Sequence, residues 1–392
     1  MQAGGRLRTV ALSAAAVAMA AVVAIPSAAG AFTGAQRRTF HKAVDVEKRR
    51  DRYPGMAVGV WSRGHGSFIA TPGLRRVGKH PRGVTRRTSF RLGSITKTFT
   101  ATLILRLVQQ GKLRLDDRVS SFVGGVPNGD EITIRELLDH TSGLPDFPID
   151  FSRRVLIMNP HIEYGALRLF RNSLVGQQIV PPPAPFLYSN LNYLLLGVIA
   201  RRVTHHSLRD LYGRLLHHLG LRHTRFRARP RGLPHRMANG YLKVEGQFAN
   251  TTRYNLSWAW AAGAMISRLD DLRRWARVLA TGAGVLDRRL QRRRLTIDPQ
   301  SHYGLGIAGF EVPKGSREVS FYGHNGVVPG YGAMIMYSPA RKVTIVVLGN
   351  TETLTNLFPN GKPPDPFLFH IFHRLACVAL HPAHPSTSCT GV

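Results

Sequence analysis

The chain has 392 residues, 43% of them hydrophobic, which is enough for one large domain or two ordinary ones with a packed core. No internal repeat and no long low-complexity tract is present, which excludes a repeat array. The formal net charge of +32 favours anionic surfaces such as wall polymers, but the arginines are spread without a nucleic-acid-binding motif, so we predict no specific nucleic-acid site.

The first 31 residues have the pattern of a secretory signal peptide. An apolar run over residues 9–25 is followed by Ala29-Gly30-Ala31, small residues that permit cleavage before Phe32. An uncleaved anchor is the alternative, but the run is short for a bilayer span. We therefore expect a secreted, extracellular protein without a membrane anchor. In that oxidising compartment, Cys377 and Cys389 either pair or remain two thiols in a tail.

Hydrophobic periodicity predicts the elements in chain order. The N-terminal part predicts a helix over Gln36–Arg52, strands at Met56–Trp61, Gly66–Thr71 and Ser89–Leu92, and a helix over Thr96–Gln110. Helices and long loops follow from Leu113 to about Asn255. The C-terminal part predicts a partly helical segment at Ala261–Gly282, strands at Tyr303–Phe310, Val319–Tyr322, Gly332–Tyr337 and Val343–Leu348, and a helix over Phe367–Leu380.

Strands at both ends of the chain, with helices between them, predict an α+β fold. One antiparallel sheet is built from both chain ends and is flanked by N- and C-terminal helices. The predicted boundaries are 36–112 and 256–380 for the sheet region, 113–255 for an inserted, mainly helical region and 381–392 for a C-terminal tail.

Ser94 and Lys97 lie three residues apart at the start of the helix that is predicted from Thr96. Residues at i and i+3 share a helix face, so both side chains can point the same way. The apolar neighbours of Lys97 indicate partial burial, which lowers a lysine's proton affinity and makes it a base near neutral pH. The alternative is an ordinary helix-capping Ser94 beside a surface lysine.

Two later tripeptides also carry candidate chemistry. In Tyr188-Ser189-Asn190, a tyrosine beside a cation can exist partly as phenolate or relay a proton, and Asn190 can hold an amide or a lysine. In His324-Asn325-Gly326, placed on an edge strand, the glycine leaves room for a substrate. The N–H of Val327 can then form an oxyanion hole with that of Ser94. An ordinary helix start and a solvent-facing strand are the alternatives.

The order Ser-x-x-Lys at 94, Tyr-x-Asn at 188 and His-x-Gly at 324 resembles the serine β-lactamase and penicillin-binding-protein superfamily. The chain looks most like its class C-related branch of secreted D-alanyl-D-alanine carboxypeptidases, class C β-lactamases and esterases. Further stretches resemble that branch, namely LLDHTSGLP at Leu137–Pro145, GAMIS at Gly263–Ser267 and YGLG at Tyr303–Gly306. The resemblance covers roughly residues 36 to 378.

The resemblance implies acyl transfer that needs no metal or cofactor. Ser94 attacks an amide, ester or β-lactam carbonyl, while Lys97 and Tyr188 handle the proton. His324 takes the place of a lysine in many relatives and supplies a donor, or a charge if protonated. The remaining expected roles are substrate binding by Asn190, Asn325, Gly326 and Trp258, and an oxyanion hole from the backbone N–H groups of Ser94 and Val327.

Two positions depart from the carboxypeptidase relatives, which use them to hold a substrate carboxylate. Asn325 stands where those relatives have threonine, and Ile307-Ala308-Gly309 stands where they carry an arginine. We still expect a secreted Ser94 hydrolase that is D-alanyl-D-alanine carboxypeptidase-like. A β-lactamase, an esterase and a D-amino-acid amidase are alternatives.

Two interpretations assign the chain to a class other than enzymes. One is a non-catalytic protein that binds wall peptide or β-lactam, and the other is a secreted polyanion-binding protein.

A Ser-His-Asp triad within residues 139–142 is disfavoured because these residues are nearly consecutive. His217, His218 and His223 lack neighbouring cysteines or carboxylates, so we predict no metal site.

Overall fold

The computed structural model describes residues 1, 31–50, 53–148, 159–244, 247–314, 317–353 and 367–381. Apart from its first and last residues, the predicted signal peptide lies outside the described residues, and so does Cys389. Its cleavage and the pairing of the two cysteines therefore stay predictions. Within the described ranges, no helix combines the length and hydrophobicity that a bilayer span requires.

Fourteen strands are formed by the described residues. They are β1 (Met56–Ser62), β2 (Gly66–Ala70), β3 (Leu74–Arg76), β4 (Arg82–Gly83), β5 (Phe90–Arg91), β6 (Arg225–Phe226), β7 (Tyr241–Val244), β8 (Gln247–Asn250), β9 (Met265–Ser267), β10 (Ala308–Lys314), β11 (Arg317–Val328), β12 (Tyr331–Ser338), β13 (Val343–Gly349) and β14 (Thr351–Thr353). Six of them form the central antiparallel sheet in the order β10-β11-β12-β13-β1-β2. The smaller sheets are β5-β9-β6, β14-β7-β8 and β3-β4.

The α-helices of the described residues surround this sheet. They are α1 (Gly34–Arg50), α2 (Ile95–Gln109), α3 (Ile134–Asp139), α4 (Ala166–Ser173), α5 (Asn190–Thr204), α6 (Leu208–His218), α7 (Trp260–Gly263), α8 (Leu269–Thr281), α9 (Arg288–Arg294) and α10 (Phe367–Leu380). The predicted α+β fold, with one sheet built from both chain ends, is confirmed.

Side chains of the central sheet pack into two separate hydrophobic cores, because successive residues of a strand point to opposite faces. On β1, Ala57 and Trp61 join the large core that includes α2, α5 and α8, whereas Val58 and Val60 join the core with α1 and α10. The sheet is thus covered on both faces, which explains why all seven residues of β1 are buried.

Three features of the strands differ from the sequence prediction. The strand expected at Tyr303–Phe310 begins at Ala308, because Gly304 and Gly306 form a turn before it. The region expected to be mainly helical contains the β7–β8 hairpin, which pairs with β14 from the other end of the chain.

The third concerns β11, which was expected at an edge. It lies between β10 and β12. Its pairing with β10 ends at Gly323, however, so the segment from His324 to Val328 pairs with β12 alone. This segment therefore presents a local free edge, and that edge faces the start of α2.

Candidate active site

Ser94 lies between β5 and the first turn of α2, where its side chain is partly exposed. Its hydroxyl makes no capping hydrogen bond to the helix. Instead, Oγ lies 3.1 Å from Nζ of Lys97. The helix-cap alternative for the Ser94 side chain is therefore wrong, and Oγ is free to act as a nucleophile beside an amine.

Lys97 is fully buried, which contradicts the alternative of a surface lysine. Burial lowers its pKa to about 7, although the charge of Asp146 opposes that shift. Nζ contacts Asn190 Oδ1 at 2.7 Å and the Ala262 carbonyl oxygen at 3.3 Å. A neutral amine has two N–H donors for these two acceptors, and its lone pair is then left for the Ser94 hydroxyl proton.

Asp146 holds Asn190 in the orientation that Lys97 needs, a role that no sequence motif indicates. One carboxylate oxygen accepts the Asn190 backbone N–H at 2.8 Å, and the other accepts its side-chain amide N–H at 2.9 Å. Only the amide oxygen of Asn190 is then directed at Nζ. Burial raises the pKa of Asp146, while its N–H donors and Lys97 oppose that rise.

Tyr188 lies over Lys97, with Nζ 4.8 Å from the ring centroid. Burial raises the pKa of Tyr188, and its hydrogen bond with Ser94 offsets only part of that rise. The hydroxyl is therefore protonated, so a proton relay through Tyr188 fits the structure and a phenolate does not.

His324 lies beside Tyr188, with the ring centroids 6.4 Å apart. Burial lowers its pKa to about 3, so the suggested positive charge is wrong at neutral pH. Both ring nitrogens are engaged, Nε2 with the Tyr303 hydroxyl at 2.8 Å and Nδ1 with the carbonyl oxygen of Asn325. Nδ1–H donates to the Asn325 carbonyl oxygen, so Nε2 accepts a hydrogen bond from the Tyr303 hydroxyl. The neutral His324 ring therefore orients Tyr303 beside Tyr188.

Two glycines bring the free edge of β11 against the backbone of Ser94. A Cβ on Gly326 would lie 2.0 Å from the Leu92 carbonyl oxygen and 2.7 Å from the Ser94 nitrogen. A Cβ on Gly93, which has a φ of 51°, would lie 2.6 Å from the Val327 nitrogen. Gly326 therefore makes room for backbone as well as for substrate, and the expected oxyanion donors are brought close together.

His140 supports Tyr188 from behind and is not part of a triad. Its ring centroid lies 4.4 Å from that of Tyr188, and its Nδ1 accepts the Ser189 N–H at 3.1 Å. Asp139 accepts hydrogen bonds from Thr141, and the Ser142 hydroxyl donates to Asn192. Burial lowers the pKa of His140 well below its usual value.

Trp258 and Asn325, the two remaining predicted substrate-binding side chains, are half-buried at the edge of the site. Trp258 is half-buried and packs edge-on against Phe147, the residue after Asp146. Asn325 is half-buried on the free edge of β11. The roles of both in substrate binding stay predictions.

The histidines at 217, 218 and 223 do not come together around a ligand site. His218 Nε2 lies 2.8 Å from the Gly284 carbonyl oxygen, and the His223 backbone N–H donates to Asp271. In the part of the chain that the structure describes, no group of three or more His, Cys, Asp or Glu side chains could hold a metal ion.

Comparison with known proteins places this geometry among related chains. A family model described as Beta-lactamase matches residues 37–361. "Protein flp" of Staphylococcus aureus (strain N315) is 25% identical over 82% of this chain and 64% of its own length. "Putative penicillin-binding protein PbpX" of Bacillus subtilis (strain 168) is 28% identical over 69% of this chain and 64% of its own length. The chain thus spans about 64% of the length of these curated relatives.

Solved structures show the same fold. A D-stereospecific amidohydrolase from Streptomyces sp. has a TM-score of 0.70 and 27% identity, over 81% of this chain and 94% of its own. A D-amino acid amidase from Ochrobactrum anthropi SV3 has a TM-score of 0.74 and 22% identity, over 88% and 98%. The second likeness concerns the fold alone.

Proposed function

This chain belongs to the beta-lactamase family of serine hydrolases, and from that premise we propose that it cleaves amide bonds of D-amino-acid derivatives through an acyl-enzyme on Ser94. The observation that carries this proposal is the buried amine of Lys97, 3.1 Å from Ser94 Oγ, with a pKa of about 7. A neutral amine at that position can accept the hydroxyl proton as the nucleophile attacks.

The first step forms a bond between Ser94 Oγ and the substrate carbonyl carbon, while the hydroxyl proton passes to Lys97 Nζ. The carbonyl oxygen becomes an oxyanion, which the N–H groups of Ser94 and Val327 stabilise. The C–N bond then breaks, and the leaving amine takes a proton through Tyr188, which is replenished from Lys97. Water attacks the resulting ester by the same route and frees Ser94.

The electrostatics of the site support a substrate without a free carboxylate next to the scissile bond. His324 is neutral, and the buried apolar residue Ile307 stands where carboxypeptidase relatives carry an arginine. The 27% identical Streptomyces structure is titled a D-stereospecific amidohydrolase, and this supports the choice of D-amino-acid amides.

A D-alanyl-D-alanine carboxypeptidase is the second candidate. Asn325 is half-buried on the free edge of β11, where its amide can donate to a substrate carboxylate. The likeness to PbpX, which is named a penicillin-binding protein, also favours this activity.

We further propose that the chain is exported and cleaved before Phe32. Intact mass measurement of the protein from culture medium tests this proposal.

The test compares the wild type with Ser94→Ala. Both are incubated with a fluorescent penicillin and then assayed with D-phenylalanine amide, its L-enantiomer, a D-Ala-D-Ala peptide, a chromogenic β-lactam and a short p-nitrophenyl ester. We expect labelling of the wild type alone, and the fastest hydrolysis with the D-amide. Faster cleavage of the D-Ala-D-Ala peptide selects the second candidate.

Two other outcomes would overturn the assignment. Fastest cleavage of the β-lactam or of the ester would replace the amidase by a β-lactamase or an esterase on the same Ser94. Labelling without turnover of any substrate would replace the hydrolase by a protein that only binds wall peptide or β-lactam.

A further inference from the structure

A second basic region lies where α8 packs beside strands β1, β12 and β13. Here a cavity of about 740 Å³ is lined by five cationic side chains, Arg63, Arg273, Arg274, Arg277 and Lys342. Trp61, Tyr337 and Thr344 also line it and are buried. We call it the α8 cavity. None of its described lining residues belongs to the cluster around Ser94.

The protein neutralises only part of the charge of the α8 cavity, through the attraction of Asp270 to Arg273. Its lining contains one carboxylate, Asp270, and both oxygens of that group are occupied by Arg86, with contacts between 2.6 and 3.1 Å. Within the described ranges, none of the five cations forms an ion pair with an acidic residue. Arg273 and Arg277 are also four residues apart on α8, a spacing at which like charges destabilise a helix.

Two contacts order part of the α8 cavity, although its five cationic side chains are exposed. The guanidinium carbon of Arg273 lies 5.2 Å from the Trp61 ring centroid, within the range of a cation–π contact. The backbone N–H of Arg63 donates to the Lys342 carbonyl oxygen at 3.2 Å and joins the two turns that carry these residues. Arg273 and the two turns are therefore ordered before a ligand binds, which lowers the entropic cost of binding at these positions.

The number and kind of donors select the ligand. Guanidinium groups match phosphate oxygens with paired N–H donors. A single carboxylate would neutralise one of the five charges, whereas linked phosphate groups bring one negative charge or more each. The volume also lies within the range of about 300–1,000 Å³ that is common for ligand sites. We propose that the α8 cavity binds an oligomeric phosphate anion, from either a condensed phosphate or a phosphodiester polymer.

Binding is tested on the full chain by isothermal titration calorimetry at physiological ionic strength, which screens diffuse surface charge. The probes are tripolyphosphate and a short glycerol-phosphate oligomer. We expect R273Q/R274Q/R277Q to weaken binding by about tenfold, since each substitution removes one exposed, solvent-screened ionic contact. The matched control, R288Q/R289Q/R292Q, removes the same charge from exposed positions on α9 and should change Kd less than about twofold.

A second variant, R63Q/K342Q, removes the two cations that the turns contribute to the cavity, and it should also weaken binding. Circular dichroism melting separates this loss from unfolding. Binding of one probe alone supports the proposal and identifies its source. Equal weakening in the α9 control, or no binding of either probe, would overturn the proposal. So would tighter binding of a DNA oligonucleotide through the same arginines.

Discussion

Lys97 and the arginines of the α8 cavity are all basic residues, but they lie in opposite environments. Lys97 is fully buried, is held by two carbonyl oxygens and has a pKa of about 7. Arg274 and Arg277, in contrast, have exposed side chains that line the α8 cavity. Burial converts the first cation into a base that can exchange a proton, while exposure leaves the others as fixed charges. The comparison predicts that the two regions respond differently to exchanges between lysine and arginine.

Replacing Lys97 by arginine keeps a basic residue and removes the group that can lose its proton. We expect kcat/KM for the best substrate to fall by about 10²- to 10⁴-fold, the usual contribution of a general base. Penicillin labelling rates and steady-state kinetics measure this effect. Lys97→Met serves as the control, because it removes the amine without adding charge. Activity within tenfold of the wild type for Lys97→Arg would show that Lys97 is not the base.

Asp146→Asn tests whether the environment of Lys97 is built by its neighbours. The new amide would set an N–H donor against a donor of Asn190, so Asn190 would no longer direct its oxygen reliably at Nζ. Such a misplacement costs up to about 10²-fold in kcat/KM. Loss of the negative charge also lowers the pKa of Lys97, because Asp146 raises it in the wild type.

The pH profile distinguishes this positioning role from a structural one. In the wild type, kcat/KM should rise with pH through about 7, as Lys97 loses its proton. In Asp146→Asn this rise should move to lower pH. Asp139→Asn is the matched control, because Asp139 is half-buried nearby and accepts hydrogen bonds from Thr141. An equal shift in both variants would contradict the positioning role.

How much of this site could be foreseen depends on sequence distance. Ser94 and Lys97 share a helix turn, so their contact follows from helical spacing. The continuous apolar run at Met56–Trp61 likewise predicts a strand. Asp146, in contrast, reaches Asn190 across 44 residues through an irregular loop, and no periodic pattern reports such a contact.

The burial of His324 could not be predicted from its own segment, because side chains of other segments cover its ring. His324 has a low pKa because the C-terminal part of β11 carries its ring under Tyr188 and Tyr303, where it is buried. The glycines and polar residues of this segment have low strand propensity, and pairing with β12 overrides that preference. For this reason the sequence did not reveal that His324 is neutral at neutral pH.

His324→Gln examines that correction. Since His324 is neutral above pH 4, the wild-type rise in kcat/KM near pH 7 cannot come from its titration. We expect the rise to persist in the variant, with kcat/KM lowered by about tenfold through the lost support of Tyr303 and the neighbouring Tyr188. Disappearance of the rise would assign it to His324 and would contradict the neutral role.

Arg277→Lys gives the smallest expected effect and completes the comparison, because it is the reverse of the exchange at Lys97. At this exposed position lysine keeps its charge at neutral pH, and only the paired N–H geometry of the guanidinium is lost. Tripolyphosphate binding should therefore weaken by about threefold or less, with Arg277→Gln weakening it further. If lysine and glutamine weakened binding equally, the contribution of Arg277 would come from its shape and not from its charge. The contrast with Lys97 would then rest on geometry in both regions.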